Sequence, residues 1–305
     1  MEIRHLQLFL EVYRRGSFAA VARDHGVDPS SVSRAVAALE SELGFSLFDR
    51  TTRKLAPTEA GEVYFRRVEP LIDDLQRATE LAGGSTRHPR GTLRILAPVS
   101  FSQLNVVPLL PDFLEANPGL RLDLQLTDAL LDLVEHRIDV AIRLGPLRDS
   151  SYLARRLAPM RARICASPQY LEYHGHPQTP GDLEGHACLL LDMPGFGNRW
   201  LLRDAHGEVS HVDVEGRLKT SNAVVLKQLA LAGAGVILQG EWIVGRELRE
   251  GTLVDLFPDH EATASHFDNA AWTLRPQRAH EPAKVKAFLD FIHAAFAHGP
   301  PWAAG

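Results

Sequence analysis

Cysteine is almost missing from this 305-residue chain, which holds only Cys165 and Cys188. That excludes a disulfide framework, so stability must come from a hydrophobic core, and two thiols suit a reducing compartment. No run of about 18 apolar residues occurs, so no membrane span is expected. The opening Met1-Glu2-Ile3-Arg4-His5 lacks a secretory pattern, and the cytoplasm is the expected location. Excess positive charge is absent too. The formal charge is −5, and acids slightly outnumber basic side chains in the first 82 residues. Any cationic surface must therefore come from placement rather than surplus.

The parts of a catalytic site are equally scarce. There is no nucleophile elbow and no phosphate loop. His260-Glu261 opens like a zinc-protease helix, but the next histidine is His266, which breaks the one-face spacing that metal needs. His174, His176, His186 and Cys188 are irregularly spaced in loop-like sequence, the pattern of surface histidines. Gly233-Ala234-Gly235 lacks the remaining glycine of a dinucleotide loop and ends a helix, where capping accounts for it. The two cysteines lie in apolar strand sequence, as buried thiols do rather than a redox pair. No catalytic residue, metal or cofactor is expected.

What the chain does contain begins at Ser17. Residues 17–25 read as a short helix, Gly26-Val27-Asp28 as a tight turn, and Pro29 to about Leu43 as a second helix. The second helix buries one stripe, Val32, Val36, Leu39 and Leu43. On another face its first turn offers Pro29, Ser30, Ser33 and Arg34. This is the helix-turn-helix layout, which delivers the N-terminal end of the second helix to the major groove. Arginine forks onto a guanine edge, and serines fit close to bases or phosphates. Gly44 closes the helix, and Arg50-Thr51-Thr52-Arg53-Lys54 follows as a basic turn. A wing there would lay Arg50, Arg53 and Lys54 on the phosphate backbone and release counterions.

The stretch from about Leu6 to Glu69 resembles the N-terminal domain of LysR-type transcriptional regulators. The resemblance rests on Phe9, Gly16-Ser17-Phe18-Ala19-Ala20-Val21-Ala22, Ser30-Ser31-Val32-Ser33-Arg34, Leu39-Glu40 and Leu43-Gly44. It continues through Leu47-Phe48-Asp49-Arg50, Leu55-Ala56-Pro57-Thr58 and Ala60-Gly61. One departure is Pro29, where many members carry glutamine. The amide contact to adenine is lost there, while proline still suits a first helical turn.

Thr58 to about Ala82 is rich in helix formers, with Thr58 as N-cap. Tyr64, Val68, Leu71, Leu75, Ala78 and Ala82 fall at heptad spacing, a seam for a second copy, and the family uses this helix for dimerisation. Pro70 should bend the helix or cost it a hydrogen bond. Gly83 to Gly91 reads as a linker. Beyond it strands and helices alternate: a strand at Thr92–Ala97, a helix from Ser102 to about Asn117, a strand at Leu120–Leu126, a helix at Ala129–Glu135 and a strand at Val140–Ile142. After about Arg161 come strands at Ile164–Ala166, Cys188–Leu190 and Val209–Glu215, a helix at Ser221–Ala232 and a strand at Val236–Leu238. Trp272–Leu274 and a helix at Pro282–Phe296 return the chain to the first lobe.

The expected fold class is α/β overall: a winged helix-turn-helix at 1–58, a linker helix and hinge at 59–90, and an effector domain at 91–305. That last domain resembles periplasmic solute-binding proteins, with lobe I at about 91–162 and 267–305 and lobe II at about 163–266. From Gly91 to Phe296 the resemblance rests on Ile138–Gly145, Arg155-Arg156-Leu157, Ala166-Ser167-Pro168 and Leu231–Val236. Ligands of open α/β sheets sit beyond the carboxyl ends of strands. That nominates Ser100, Phe101, Ser102, Asp128 and Arg143 from one lobe, and Ser221 and Asn222 from the other. Asp128 disfavours a purely anionic ligand. The expected partners are double-stranded DNA with two-fold related half-sites, a small-molecule effector and further copies as a homodimer or homotetramer, with RNA polymerase an additional candidate. The competing reading is a small-molecule-binding protein that uses its N-terminal region only for assembly. An enzyme of the cleft lacks an acid, base or nucleophile set.

Overall fold

Glycines stop the first three helices, and side-chain oxygens start the second and third. Helix α1 (Ile3–Arg15) ends at Gly16, α2 (Phe18–His25) at Gly26 and α3 (Pro29–Leu43) at Gly44, all at φ between 62° and 76°. That left-handed conformation is where glycine carries no Cβ penalty. Ser17 accepts a hydrogen bond from the Ala20 amide at 3.3 Å, and Asp28 from the Ser30 amide at 2.8 Å. The computed structural model describes residues 1–49, 55–83, 89–147, 151–193, 196–277, 281–297, 299 and 302.

Within Met1–Arg87 the three helices close on a core centred on Phe9. Its ring meets Tyr13, Phe48, Tyr64 and Phe65 at centroid distances of 5.7 to 6.4 Å, mostly edge to face. Two short strands, β1 (Phe48–Asp49) and β2 (Ala56–Pro57), pair antiparallel as the base of a wing. The Glu40 carboxylate accepts from the Leu47 and Phe48 amides at 2.8 and 3.2 Å, fastening the wing to α3. Helix α4 (Glu59–Gly83) follows, with the Thr58 hydroxyl accepting from the Gly61 amide at 2.9 Å. It runs through Pro70.

The expected heptad seam of α4 divides between two faces. Tyr64 and Val68, together with Phe65 and Ile72, pack into their own domain. Leu71 and Leu75 point outward with Val63, 59 %, 41 % and 56 % exposed. The intramolecular core captures the aromatic positions, so the outward apolar stripe is offset from the one the spacing drew. The side chains of Ala78 and Ala82 lie outside the described residues.

The second unit, His88–Gly305, is built on two sheets. The first segment supplies β3 (Gly91–Ala97), α5 (Val99–Asn105), α6 (Leu110–Ala116), β4 (Leu120–Leu126), β5 (Val140–Gly145) and β6 (Tyr152–Pro159). The chain crosses to β7 (Ala162–Ala166), α7 (Pro168–His174), β8 (Cys188–Leu191), β9 (Arg199–Arg203), β10 (Val209–Asp213) and β11 (Gly216–Thr220). It continues with α8 (Ala223–Leu231), β12 (Val236–Gly240), α9 (Glu241–Arg249), β13 (Val254–Asp255) and β14 (Glu261–Thr263). It then returns through β15 (Ala270–Pro276) and α10 (Ala283–Ala297). Lobe I has strand order β4-β3-β5-β15-β6, and lobe II has β10-β9-β14-β7-β12-β8-β11 with β13 beside β7.

Two elements differ from their sequence reading. The single helix expected over residues 102–117 starts earlier, at Val99, and breaks into α5, a 3₁₀ turn at Val107–Leu109, and α6. Pro108 and Pro111 lack the amide protons a continuous ladder would use. No helix forms over Ala129–Glu135. Instead the Asp132 carboxylate accepts from the Val134 and Glu135 amides, both at 2.8 Å, closing a turn where helical bonds would run. No helix among the described residues is long and apolar enough to cross a membrane.

Candidate DNA-binding surface and effector cleft

The N-terminal end of α3 is an exposed polar ridge. Pro29 occupies the first turn, and Pro29, Ser30 and Arg34 are exposed while Ser33 is half-buried. Behind them Val32, Val36 and Leu39 are fully buried, fixing which way the helix faces. The Arg34 guanidinium folds back along the helix, donating to the Ser30 carbonyl at 3.3 Å and to the Ser30 and Ser31 hydroxyls at 3.4 Å each. Those bonds are long and solvent-facing, so a base edge can replace them. Asp28, missed by the sequence reading as a cap, has its carboxyl held below the usual range by its bonds to Ser30 and by the Arg34 charge. An Asp before Pro at a helix start was the available signal. Arg50, Arg53 and Lys54 lie outside the described residues.

In the second unit, chain direction defines a cleft. Strands β3, β4 and β5 run parallel to one another, and so do β8, β11 and β12. The carboxyl end of β5, Gly145, pairs with Ala270 at the return crossing, while the end of β12 leads into a 2.8 Å bond from the Glu241 amide to the Arg161 carbonyl at the outgoing one. Both sets of strand ends therefore face the inter-lobe junction.

The nominated residues divide sharply there. Asp128 and Ser221 are exposed, and Ser100 is nearly covered in the first turn of α5. The Asp128 carboxylate accepts from the Val99 amide at 3.3 Å, which brings it to the start of α5 beside Ser100. Asn222 caps α8 by accepting from the Val224 and Val225 amides at 2.9 and 3.2 Å. Arg143 donates to the Leu131 carbonyl at 2.8 Å and so supports the loop after β4. Phe101 and Ser102 require correction as cleft residues: both have no exposed surface. The Phe101 ring instead packs on Trp242 and Trp302 at 5.5 and 5.8 Å. Helix α5 starts three residues before the position the sequence suggested, which turns these two inward.

The remaining sequence motifs resolve into structure. Cys165 and Cys188 are buried in different core clusters, on opposite faces of the lobe II sheet. Burial pushes both thiols up, Cys188 to about 12. Among the described residues no group of His, Cys, Asp and Glu is arranged to hold a metal ion. His186 instead bonds the Tyr170 hydroxyl at 3.2 Å.

A winged helix-turn-helix ahead of a two-lobed α/β ligand domain defines a ligand-responsive DNA-binding regulator. Residues 3–62 match the family described as "Bacterial regulatory helix-turn-helix protein, lysR family", and residues 86–297 match "LysR substrate binding domain". The chain belongs to the LysR family and is a DNA-binding transcriptional regulator modulated by a small-molecule effector. It is similar to the HTH-type transcriptional regulator CrgA of Neisseria meningitidis, 33% identical over 287 residues, 94% of each chain. It is also similar to the regulator DmlR of Escherichia coli, 32% identical over 98% of this chain and 96% of that one. The full-length structure of the Vibrio cholerae virulence activator AphB superposes with a TM-score of 0.60 at 30% identity, covering 96% of this chain and 99% of AphB.

Proposed function

We propose that two copies of this chain, joined along α4, present paired α3 helices to two-fold related half-sites in promoter DNA. The exposed ridge of Ser30 and Arg34, capped by Asp28 and backed by a fully buried stripe, carries this reading. Arg34 reads a base edge, Pro29, Ser30 and Ser33 fit the groove, and Arg50, Arg53 and Lys54 bind phosphates. The outward stripe of α4, Val63, Leu71 and Leu75, forms the dimer seam, and further pairing of effector domains gives a homotetramer. A small molecule enters between the lobes against Ser100, Asp128 and Ser221, with Asn222 and Arg143 supporting the walls. It acts by favouring one lobe arrangement over another, and so changes access for RNA polymerase. The site works by binding, without catalysis, and the protein acts in the cytoplasm.

Anisotropy titrations with the promoter beside the protein's own gene test the interface. Arg34→Ala should weaken specific binding by about 1–3 kcal/mol and relax one base position, while non-specific binding barely changes. Unaltered sequence preference in that variant would refute the groove assignment.

A further inference from the structure

Beside the inter-lobe crossings a cavity of about 590 Å³ lies over the face of β7, β14 and β9. None of the nominated cleft residues lines it. Its floor is Arg163, Arg203 and Glu261, with Arg203 and Glu261 opposite each other across the β9–β14 pair. Its walls include residues of both crossings between the lobes, Met160 and Arg161 going out and His266, Phe267 and Asn269 coming back. These crossings are tied by a 2.9 Å bond from the Met160 amide to the Asn269 carbonyl.

The charges in this cavity are unevenly used. Arg163 is held by Glu241 at 2.7 Å and Asp255 at 3.3 Å. Glu261 is engaged by Arg203, whose guanidinium lies 4.3 Å over the Phe267 ring. Asp204 is turned away into the β9–β10 turn, accepting from the His206 and Glu208 amides at 2.9 and 2.8 Å. Arg161 is exposed and has no carboxylate partner among the described residues. His260 and His266 stand in the same walls, against the single remaining carboxylate Asp259. The return loop is bonded to itself: Thr263 donates to the His266 carbonyl at 3.0 Å and accepts from the Ser265 amide at 3.1 Å. A preformed wall lowers the ordering cost of binding.

We propose that this cavity is a second regulatory site for a small multivalent oxyanion, a di- or tricarboxylate or a phosphate, held by Arg161 and His266 with Arg203 behind them. The guanidinium fork suits two oxygens of one carboxylate or phosphate group. An anion bridging Arg161 on one crossing and His266 on the other resists hinge motion, so it biases the lobe angle without entering the cleft. This is an input independent of the effector proposed above.

The test is calorimetric titration of the full-length protein with citrate and with inorganic phosphate at constant ionic strength. Wild type is compared with Arg161→Gln, the double variant Arg161→Gln/His266→Gln, and Ser221→Ala as a cleft control. At least one probe should bind saturably with a dissociation constant near or below about 1 mM. Binding should weaken at least tenfold in Arg161→Gln, vanish in the double variant and persist in Ser221→Ala. Preference for citrate over phosphate, or the reverse, identifies which oxyanion the site takes. No saturable binding of either probe overturns the proposal, as does binding retained in the double variant or lost only in Ser221→Ala. Matched thermal midpoints ensure that the folded proteins are being compared.

Discussion

At the scale of single residues, a few side chains decide what the molecule can touch. Asp28 caps α3, and Arg34 is folded back over the first turn by Ser30 and Ser31, so the proposed base-reading side chain starts at the helix end it would present to DNA. His293 illustrates a pH effect of the opposite kind. Its Nε2 lies 2.9 Å from the Thr273 hydroxyl, and burial, with Arg155 nearby, pushes its pKa below the ordinary 6.5. The folded state therefore favours the neutral ring. Its stabilisation is present above pH 6.5 and is lost as the pH falls from there through the lowered value. Thermal midpoints followed from about pH 7.5 to 5.5 should decline, and His293→Gln should flatten that decline. An equal slope in both proteins would place the acid sensitivity elsewhere.

At the scale of elements, close approaches set the limits. A Cβ on Gly61 would come within 2.1 Å of the Leu47 carbonyl oxygen, so only glycine lets α4 lie against the wing base. Gly61→Ala should destabilise the N-terminal unit by about 1–3 kcal/mol, because the obstacle is backbone rather than a movable side chain. Its DNA affinity should fall with wing displacement, read together by urea unfolding and anisotropy. For the outward stripe of α4, Leu71→Glu puts a charge into the proposed seam while leaving the domain core untouched. Sedimentation velocity should then report a shift toward monomer, and an unchanged distribution would move the seam off this face.

The elements also indicate what sequence can and cannot carry. Helix ends at Gly26, Gly44 and Thr58 were legible because these residues act on their immediate neighbours. The turn at Asp132 was not. Its geometry is held by the Tyr152 hydroxyl donating to Asp132 at 2.9 Å and by Arg143 reaching the Leu131 carbonyl, partners 20 and 12 residues away. The same applies to the cleft. Ser100, Phe101 and Ser102 all follow a strand end in the sequence, and only the helix start at Val99, with the Trp242 and Trp302 rings packed on Phe101, shows that Phe101 and Ser102 face inward. The exposed ridge proposed to face DNA was legible from α3 itself, since the buried stripe of that helix orients it.

At the scale of the whole molecule, the two units keep separate cores, and the effector unit is pinned internally by aromatic residues from three places. Phe101 of α5 meets Trp242 of α9 and also Trp302, which in turn packs on Phe296 of α10 at 5.8 Å. Arg249 of α9 donates to the Trp302 carbonyl at 2.7 Å, and Gly245 leaves room for that approach. Trp302 therefore joins an α9 that belongs to lobe II with an α5 and α10 that belong to lobe I. Truncating it removes a large buried ring from a cluster that holds the lobes in one arrangement. Trp302→Ala should cost the effector unit up to about 3–5 kcal/mol, toward the lower end if neighbouring side chains collapse into the space. Val36→Ala, inside α3, should lower the N-terminal unit's transition by about 0.5–3 kcal/mol. In calorimetric unfolding of the full chain, each variant should shift its own transition and leave the other within about 0.5 kcal/mol. If either variant displaced both transitions together, the two cores would be unfolding as one cooperative unit, and the effector signal would reach the DNA-binding end through shared stability rather than through a change in geometry.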